Sequence, residues 1–363
     1  MRHRGVRARS VADAMARPRN GFTAIRLVLA LAVVVSHAFS VTSGQVMDEP
    51  LARSTGFTLG EHAVNGFFAI SGFLVAMSFD RRGWRDYVIA RALRIGPGLV
   101  VATLAVGLLL GGAMTALPLA EYLSDRGVWR FVTATLTTFK SNIGLPGVFE
   151  ANPFRFPMGT VWTLKYEVLC YGGVLVCGLL GLLRSKAAAL ILVAGLALAM
   201  AGLDFLRPNP PKGIETALRL PLIFALGGAL YVWREEARLS GFVVALLAAG
   251  TWMAGGTFLY KALLFTGSAY AILWFAFAPV VVRLLPDPNA DLSYGTYLYG
   301  WPVQQALHAL FPGAAALVLL VPSLLLTLGI AALSWFVVEK PALALKAHTL
   351  GRRTLKTIEP AAP

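Results

Sequence analysis

The chain has 363 residues, of which 57% are hydrophobic and only 14% charged, against about 25% charged residues in a typical soluble domain. That composition, with a mean hydropathy of +0.69, excludes an ordinary water-soluble enzyme and indicates an integral membrane protein. The formal net charge of +14 does not point to nucleic acid, because the basic residues collect at the ends of apolar runs, where they resist translocation and mark the cytoplasmic side.

The first such cluster, Arg2, Arg4, Arg7, Arg9, Arg17 and Arg19, lies in a basic cytoplasmic segment, residues 1–21. The run that follows, FTAIRLVLALAVVVSHAFSV at 22–41, is long enough to cross a hydrocarbon core of about 30 Å as a helix. It is read as an uncleaved span, because it is too long for a signal peptide and leads into further spans. Apolar runs at 61–79, 97–117, 160–183, 187–206, 217–233, 239–256, 261–283, 292–311 and 314–338 raise the expectation to about ten transmembrane helices. Barrel strands would alternate in polarity and these runs do not, so the fold class is an all-α polytopic bundle.

An even count returns both termini to the cytoplasm. Arg81, Arg82, Arg85, Arg91 and Arg94 after the second run, Arg184 with Lys186 and Arg234 with Arg238 in short loops, and Lys340, Lys346, Arg352, Arg353 and Lys356 at the end agree with that topology. The transmembrane domain then covers 22–340, followed by a basic cytoplasmic tail at 341–363 with no further domain expected. Residues 118–159 mix charges and prolines with a short apolar stretch, WRFVTATLTTF, which suits an external loop carrying an interfacial or re-entrant helix. RPNPPKG at 207–213 is a rigid external turn.

Ionisable residues inside apolar runs are costly and mark functional sites by default. Arg26 and His37 share one run; eleven steps of about 100° return nearly to the same helix face, roughly 16 Å farther along the axis. Both can line one cavity at different depths, or serve as a snorkelling anchor and a polar packing residue. Glu167 is a third such group, and it either orients His37 or neutralises an arginine such as Arg26. Cys170 and Cys177, seven residues apart in one run, lie about 10 Å apart on a helix and cannot form a disulfide within it. There is no Cys/His cluster for a metal site.

The order of several motifs resembles the acyltransferase-3 family of membrane O-acyltransferases that modify bacterial glycans. They are the spacing of Arg26 and His37, NGFFAISGFLVA at 65–76, RALRIGP at 91–97, VWTLKYEVLCY at 161–171, LSYGTYLYGWPVQQ at 292–305 and VVEKP at 337–341. The resemblance implies transfer of an acyl group, usually acetyl from acetyl-CoA, to a hydroxyl of a carbohydrate or lipid-linked glycan in a bacterial inner membrane, with His37 catalytic. An imidazole suits that role, since an alcohol is a poor nucleophile until a base near neutrality begins to take its proton; a covalent acyl-histidine is a second route.

From spacing alone, Arg91 and Arg94 read as topology signals. The family's Arg-x-x-Arg pattern makes them, with Arg26, candidates to hold the CoA phosphates on the cytoplasmic side. The resemblance also reaches Asn65, Ser71, Trp162, Tyr297 and Glu339. For Ser71 close helix packing is the preferred reading, and the tyrosines around Tyr297 suit an interfacial belt. Some relatives carry a histidine where this chain has Gly300, which leaves His37 with the main role. The competing function is a multi-pass transporter or flippase, against which the absence of two related halves with broken helices counts.

Overall fold

The computed structural model describes residues 10–17, 19–285 and 288–345, and every regular element among them is helical. In chain order, a short helix α1 (Val11–Met15) precedes α2 (Phe22–Ser43), α3 (Pro50–Thr55) and α4 (Leu59–Leu104), which runs through a π-helical turn (Ala105–Leu110) into α5 (Gly111–Met114). Two short helices, α6 (Leu119–Ser124) and α7 (Arg126–Thr138), and an irregular segment lead to α8 (Trp162–Leu179). There follow α9 (Lys186–Leu206), α10 (Lys212–Val232), α11 (Gly241–Met253), α12 (Tyr260–Phe277), α13 (Pro279–Leu284), α14 (Ser293–Leu310) and α15 (Ala316–Ser334), the last continued by a second π turn, Trp335–Glu339.

Local chemistry sets these boundaries. Thr58 and Glu61 form a reciprocal capping box at the start of α4, which satisfies two otherwise orphaned N–H groups. The Ser185 side chain accepts from the Ala188 N–H at the start of α9, and Pro211 immediately precedes α10. Within α4 the backbone leaves helical geometry at Gly83, with φ 76° and ψ 172°. A side chain there would be strained, and glycine is not.

Among the described residues, six helical stretches are long and apolar enough to cross a membrane: Phe22–Ser43, Leu59–Met114, Lys186–Leu206, Lys212–Val232, Tyr260–Phe277 and Ala316–Leu345. Leu59–Met114 contains two of the expected runs, separated by the Gly83 break. The runs at 160–183 and 292–311 do form helices, α8 and α14, but Lys165 and Glu167 in one and the tyrosines and glutamines of the other dilute their apolar character. The run at 239–256 forms α11, whose 13 residues extend only about 20 Å. The ten expected runs thus correspond to six apolar helical stretches, one of which holds two runs, and to three helices that fall short of that standard. Within 118–159, α7 has 13 residues, too few to cross; it buries Val128, Phe131, Val132 and Thr135 and exposes Arg126 and Arg130.

The chain divides into two compact units. The first comprises Met1–Arg26, His62–Gly83 and Tyr166–Asn289. Glycines bring its helices together: a Cβ on Gly72 would lie 1.9 Å from the Phe224 carbonyl oxygen, and one on Gly227 would lie 2.1 Å from that of Ala69. This is the small-residue packing that close helix approach in a membrane requires. Around it, Phe22, Phe73, Tyr231 and Phe277 form an edge-to-face aromatic cluster. Toward the other end of α9 and α10, Lys261 bridges Asp204 at 2.8 Å and Glu215 at 2.9 Å, so that a half-buried and a buried carboxylate share one ammonium.

The second unit comprises Leu27–Glu61, Trp84–Lys165 and Ala290–Pro363. Its centre is the contact of α14 with α15, where a Cβ on Gly295 would meet the Ala331 Cα at 2.9 Å. The irregular segment before α8 is tied to α14 by polar bonds. Asn152 donates to the Gln305 side-chain oxygen at 2.7 Å, Gln305 donates to the Phe154 carbonyl at 2.8 Å, and the Tyr297 hydroxyl meets Thr163 at 2.6 Å. These bonds supply partners to a loop that lacks a regular ladder.

Candidate active site

α2 carries His37 into the second unit, half-buried. Its ring meets Trp301 of α14 edge to face, with centroids 5.0 Å apart and planes at 86°. Nδ1 is sealed from solvent with no hydrogen-bond partner among the described residues, and Nε2 is not sealed in this way. Trp301 is itself fixed: it stacks on Phe156 at 5.3 Å and 6°, leans on Phe154 at 5.5 Å, and donates from Nε1 to the Phe156 carbonyl at 2.9 Å. Gly159 makes the room, since a Cβ there would lie 2.5 Å from the indole ring.

α14 also grips α2 one turn away from His37. The Gln304 side-chain N–H donates to the Val34 carbonyl at 2.7 Å, and a Cβ on Gly300 would lie 2.6 Å from Val34 Cγ2. Position 300 is therefore sterically reserved for glycine in this chain, and a histidine there would require Val34 to move.

Seven residues before Trp301 on the same helix, Tyr294 lies against Arg94, whose guanidinium is 5.7 Å from the ring centroid. Arg94 pairs with Asp291 at 2.8 Å, and both side chains are largely withdrawn from solvent, at 14% and 16% exposed. The other Asp291 oxygen accepts from the Ser293 hydroxyl, and the Tyr294 hydroxyl donates to the Ile95 carbonyl at 2.9 Å. Arg91 stands one turn away on α4, half-buried. Glu339 is buried at 3% exposure and accepts from the Ser334 hydroxyl at 3.0 Å.

The second unit thus holds His37, Arg91, Arg94, Trp162 and Tyr297, and the first holds Arg26, Asn65, Ser71 and Glu167. In that first unit Asn65 is 1% exposed, and neither amide atom has a hydrogen-bond partner among the described residues. Ser71 is half-buried beside Gly72 at the closest helix approach. Glu167 accepts a short bond from Tyr171, one turn along its own helix. Tyr297 donates to the Thr160 carbonyl at 3.0 Å, and so pins the start of α8. Sequence reading missed Asp291 and Gln304. Their signals are modest: an acidic residue just before a helix rich in tyrosine, and two adjacent glutamines inside an apolar run.

A helical membrane fold that fixes an imidazole against an aromatic wall, with an arginine held farther down the same supporting helix, defines an integral membrane protein with an enzyme-like site. A family model described as an acyltransferase domain, that of the acyltransferase-3 family, matches residues 19–337. The chain belongs to that family, and it is a multi-pass membrane acyltransferase. It is 29% identical over 340 residues to an "O-acetyl transferase" of Shigella phage Sf6, covering 88% of this chain and 95% of that protein. It is 30% identical over 364 residues to "Nodulation protein 10" of Rhizobium leguminosarum bv. viciae, covering 92% of this chain and 96% of that one. No solved structure matches the chain.

Proposed function

We propose that the chain moves an acetyl group from acetyl-CoA to a hydroxyl of a cell-envelope or exported glycan, in the cytoplasmic membrane of a bacterium and with both termini cytoplasmic. The observation that carries this reading is the use of α14 as a ruler. It touches Arg94 through Tyr294 and His37 through Trp301, seven residues or about 10 Å apart along the axis. An elongated donor with an anionic end and a reactive thioester end needs that kind of separation. Arg91 and Arg94 would take the phosphates, with Asp291 holding the Arg94 guanidinium in place; Arg26 is a further candidate from the helix that bears His37.

Neutral His37, through Nε2, takes the proton of the acceptor hydroxyl as the oxygen attacks the thioester carbonyl. The carbon–sulfur bond then breaks, the CoA thiolate leaves, and the imidazolium returns a proton to it. Positioned base catalysis of this kind contributes about 10²–10⁴-fold.

The test is transfer of labelled acetyl from acetyl-CoA to glycan by the purified full-length protein. His37→Ala should lower kcat by at least 10²-fold with its melting curve intact, and Arg94→Gln should raise the KM for acetyl-CoA more than it lowers kcat. Undiminished turnover in the His37 variant, or solute uptake into vesicles with no acylated product, would overturn the proposal; the second result would favour a transporter.

A further inference from the structure

The first unit contains a cavity that the acetyl-transfer proposal does not use. It has a volume of about 420 Å³ and lies among α4, α8, α9 and α10, with Ala76, Cys170, Cys177, Leu192, Phe224 and Val232 in its walls. The lining is almost wholly alkyl and aromatic. Leu182 and Leu183, in the short turn between α8 and α9, also line it.

The next residue is Arg184, which is exposed and makes no ion pair among the described residues. Its basic neighbours are committed: Lys186 to Glu236, and Arg234 to Asp80 at 3.8 Å and to Glu235 at 3.7 Å. Trp233, adjoining Val232 of the cavity wall, donates from its indole to the Lys186 carbonyl at 3.2 Å, in keeping with a position at the polar boundary of the bilayer. An apolar cavity with one available cation at its rim matches a molecule with an alkyl chain and an anionic head.

We propose that this cavity binds one acyl chain of an anionic phospholipid from the cytoplasmic leaflet, with the lipid phosphate paired to Arg184. The basic loop assigns this end of α8, α9 and α10 to the side where anionic lipids attract basic side chains. Burial of the chain gives little net driving force by itself, because the surrounding lipid is equally apolar. Selection then rests on the head-group charge and on the room available for the chain.

Two adjacent glycines allow a controlled test. Gly173 lines the cavity and Gly172 does not, and a Cβ on either has no neighbour within 4 Å. Full-length protein in detergent is titrated with phosphatidylglycerol or with phosphatidylcholine of the same chains, and bound lipid is counted by native mass spectrometry. Wild type and Gly172→Phe should each retain one phosphatidylglycerol in preference to phosphatidylcholine, and Gly173→Phe should lose it. Arg184→Gln should weaken phosphatidylglycerol about fivefold, corresponding to about 1 kcal/mol for one basic residue near a charged head group, and should abolish the preference. Alkylation of Cys170 and Cys177 should slow when phosphatidylglycerol is bound.

Equal retention by Gly173→Phe would overturn the proposal. So would equal binding of the two lipids by wild type, or displacement of phosphatidylglycerol by inorganic phosphate at a similar concentration. None of these readouts depends on acetyl transfer.

Discussion

Trp301 offers a sharp test of how His37 is held. The indole is 5% exposed, touches the His37, Phe154 and Phe156 rings, and donates one hydrogen bond. Truncation to alanine removes a large buried ring, for which about 3–5 kcal/mol is typical; part of that is the ring pairs, at about 0.5–1.5 kcal/mol each. Trp301→Phe keeps most of the wall and loses chiefly the N–H bond, about 1 kcal/mol. At roughly 2 °C per kcal/mol for a larger domain, the alanine variant should melt about 6–10 °C lower and the phenylalanine variant about 2 °C lower. The functional consequence is larger, since an error of about 1 Å at a reacting group costs up to 10²-fold. Acetyl transfer measured well below both melting temperatures should therefore show kcat reduced 10- to 100-fold in Trp301→Ala and little changed in Trp301→Phe. A wild-type kcat in Trp301→Ala would refute the idea that this wall positions the imidazole.

Other substitutions probe the frame. Gly72→Ala places a Cβ 1.9 Å from a backbone oxygen and should cost about 1–3 kcal/mol or more by overpacking, whereas Gly172→Ala should not; thermal unfolding in detergent separates them. Lys261→Met leaves Asp204 and Glu215, 10% and 4% exposed, without their shared cation. Breaking such a buried pair costs about 3–5 kcal/mol, seen as faster thermal inactivation. Tyr122 donates to the Gly107 carbonyl, and burial pushes its ionisation from 10.0 up to about 12. The folded protein keeps that proton while the unfolded chain releases it, so its contribution is intact below about pH 10 and is lost as pH rises toward about 12. Melting curves across that alkaline window should fall more steeply for wild type than for Tyr122→Phe.

Much of the fold was legible because lipid imposes simple demands. Long apolar runs with basic ends became helices, and ionisable residues inside them, above all His37 and Arg26, stood out as anomalies. The shortfall of α8 and α14 has the same origin, whereas α11 is simply short. The buried tyrosines and glutamines of α14 bond inside the protein, and Lys165 and Glu167 lower the apolar character of α8.

The partners were not legible, because they come from distant parts of the chain. Arg94 and Asp291 are 197 residues apart, and no local pattern couples them. Glu167 invited a search for a cation on another helix, whereas its hydrogen bond comes from Tyr171, a single turn away. Gly300 read as a missing histidine; its backbone in fact admits Val34, a constraint visible only once α2 and α14 are laid together.

The break at Gly83 has a practical consequence for anyone wishing to instrument this protein. The peptide turns out of its coil there with no atoms crowding the position, amid Arg81, Arg82, Trp84 and Arg85, all solvent-facing. A reporter peptide or an affinity handle spliced in at that break would fall where the helical geometry is already interrupted.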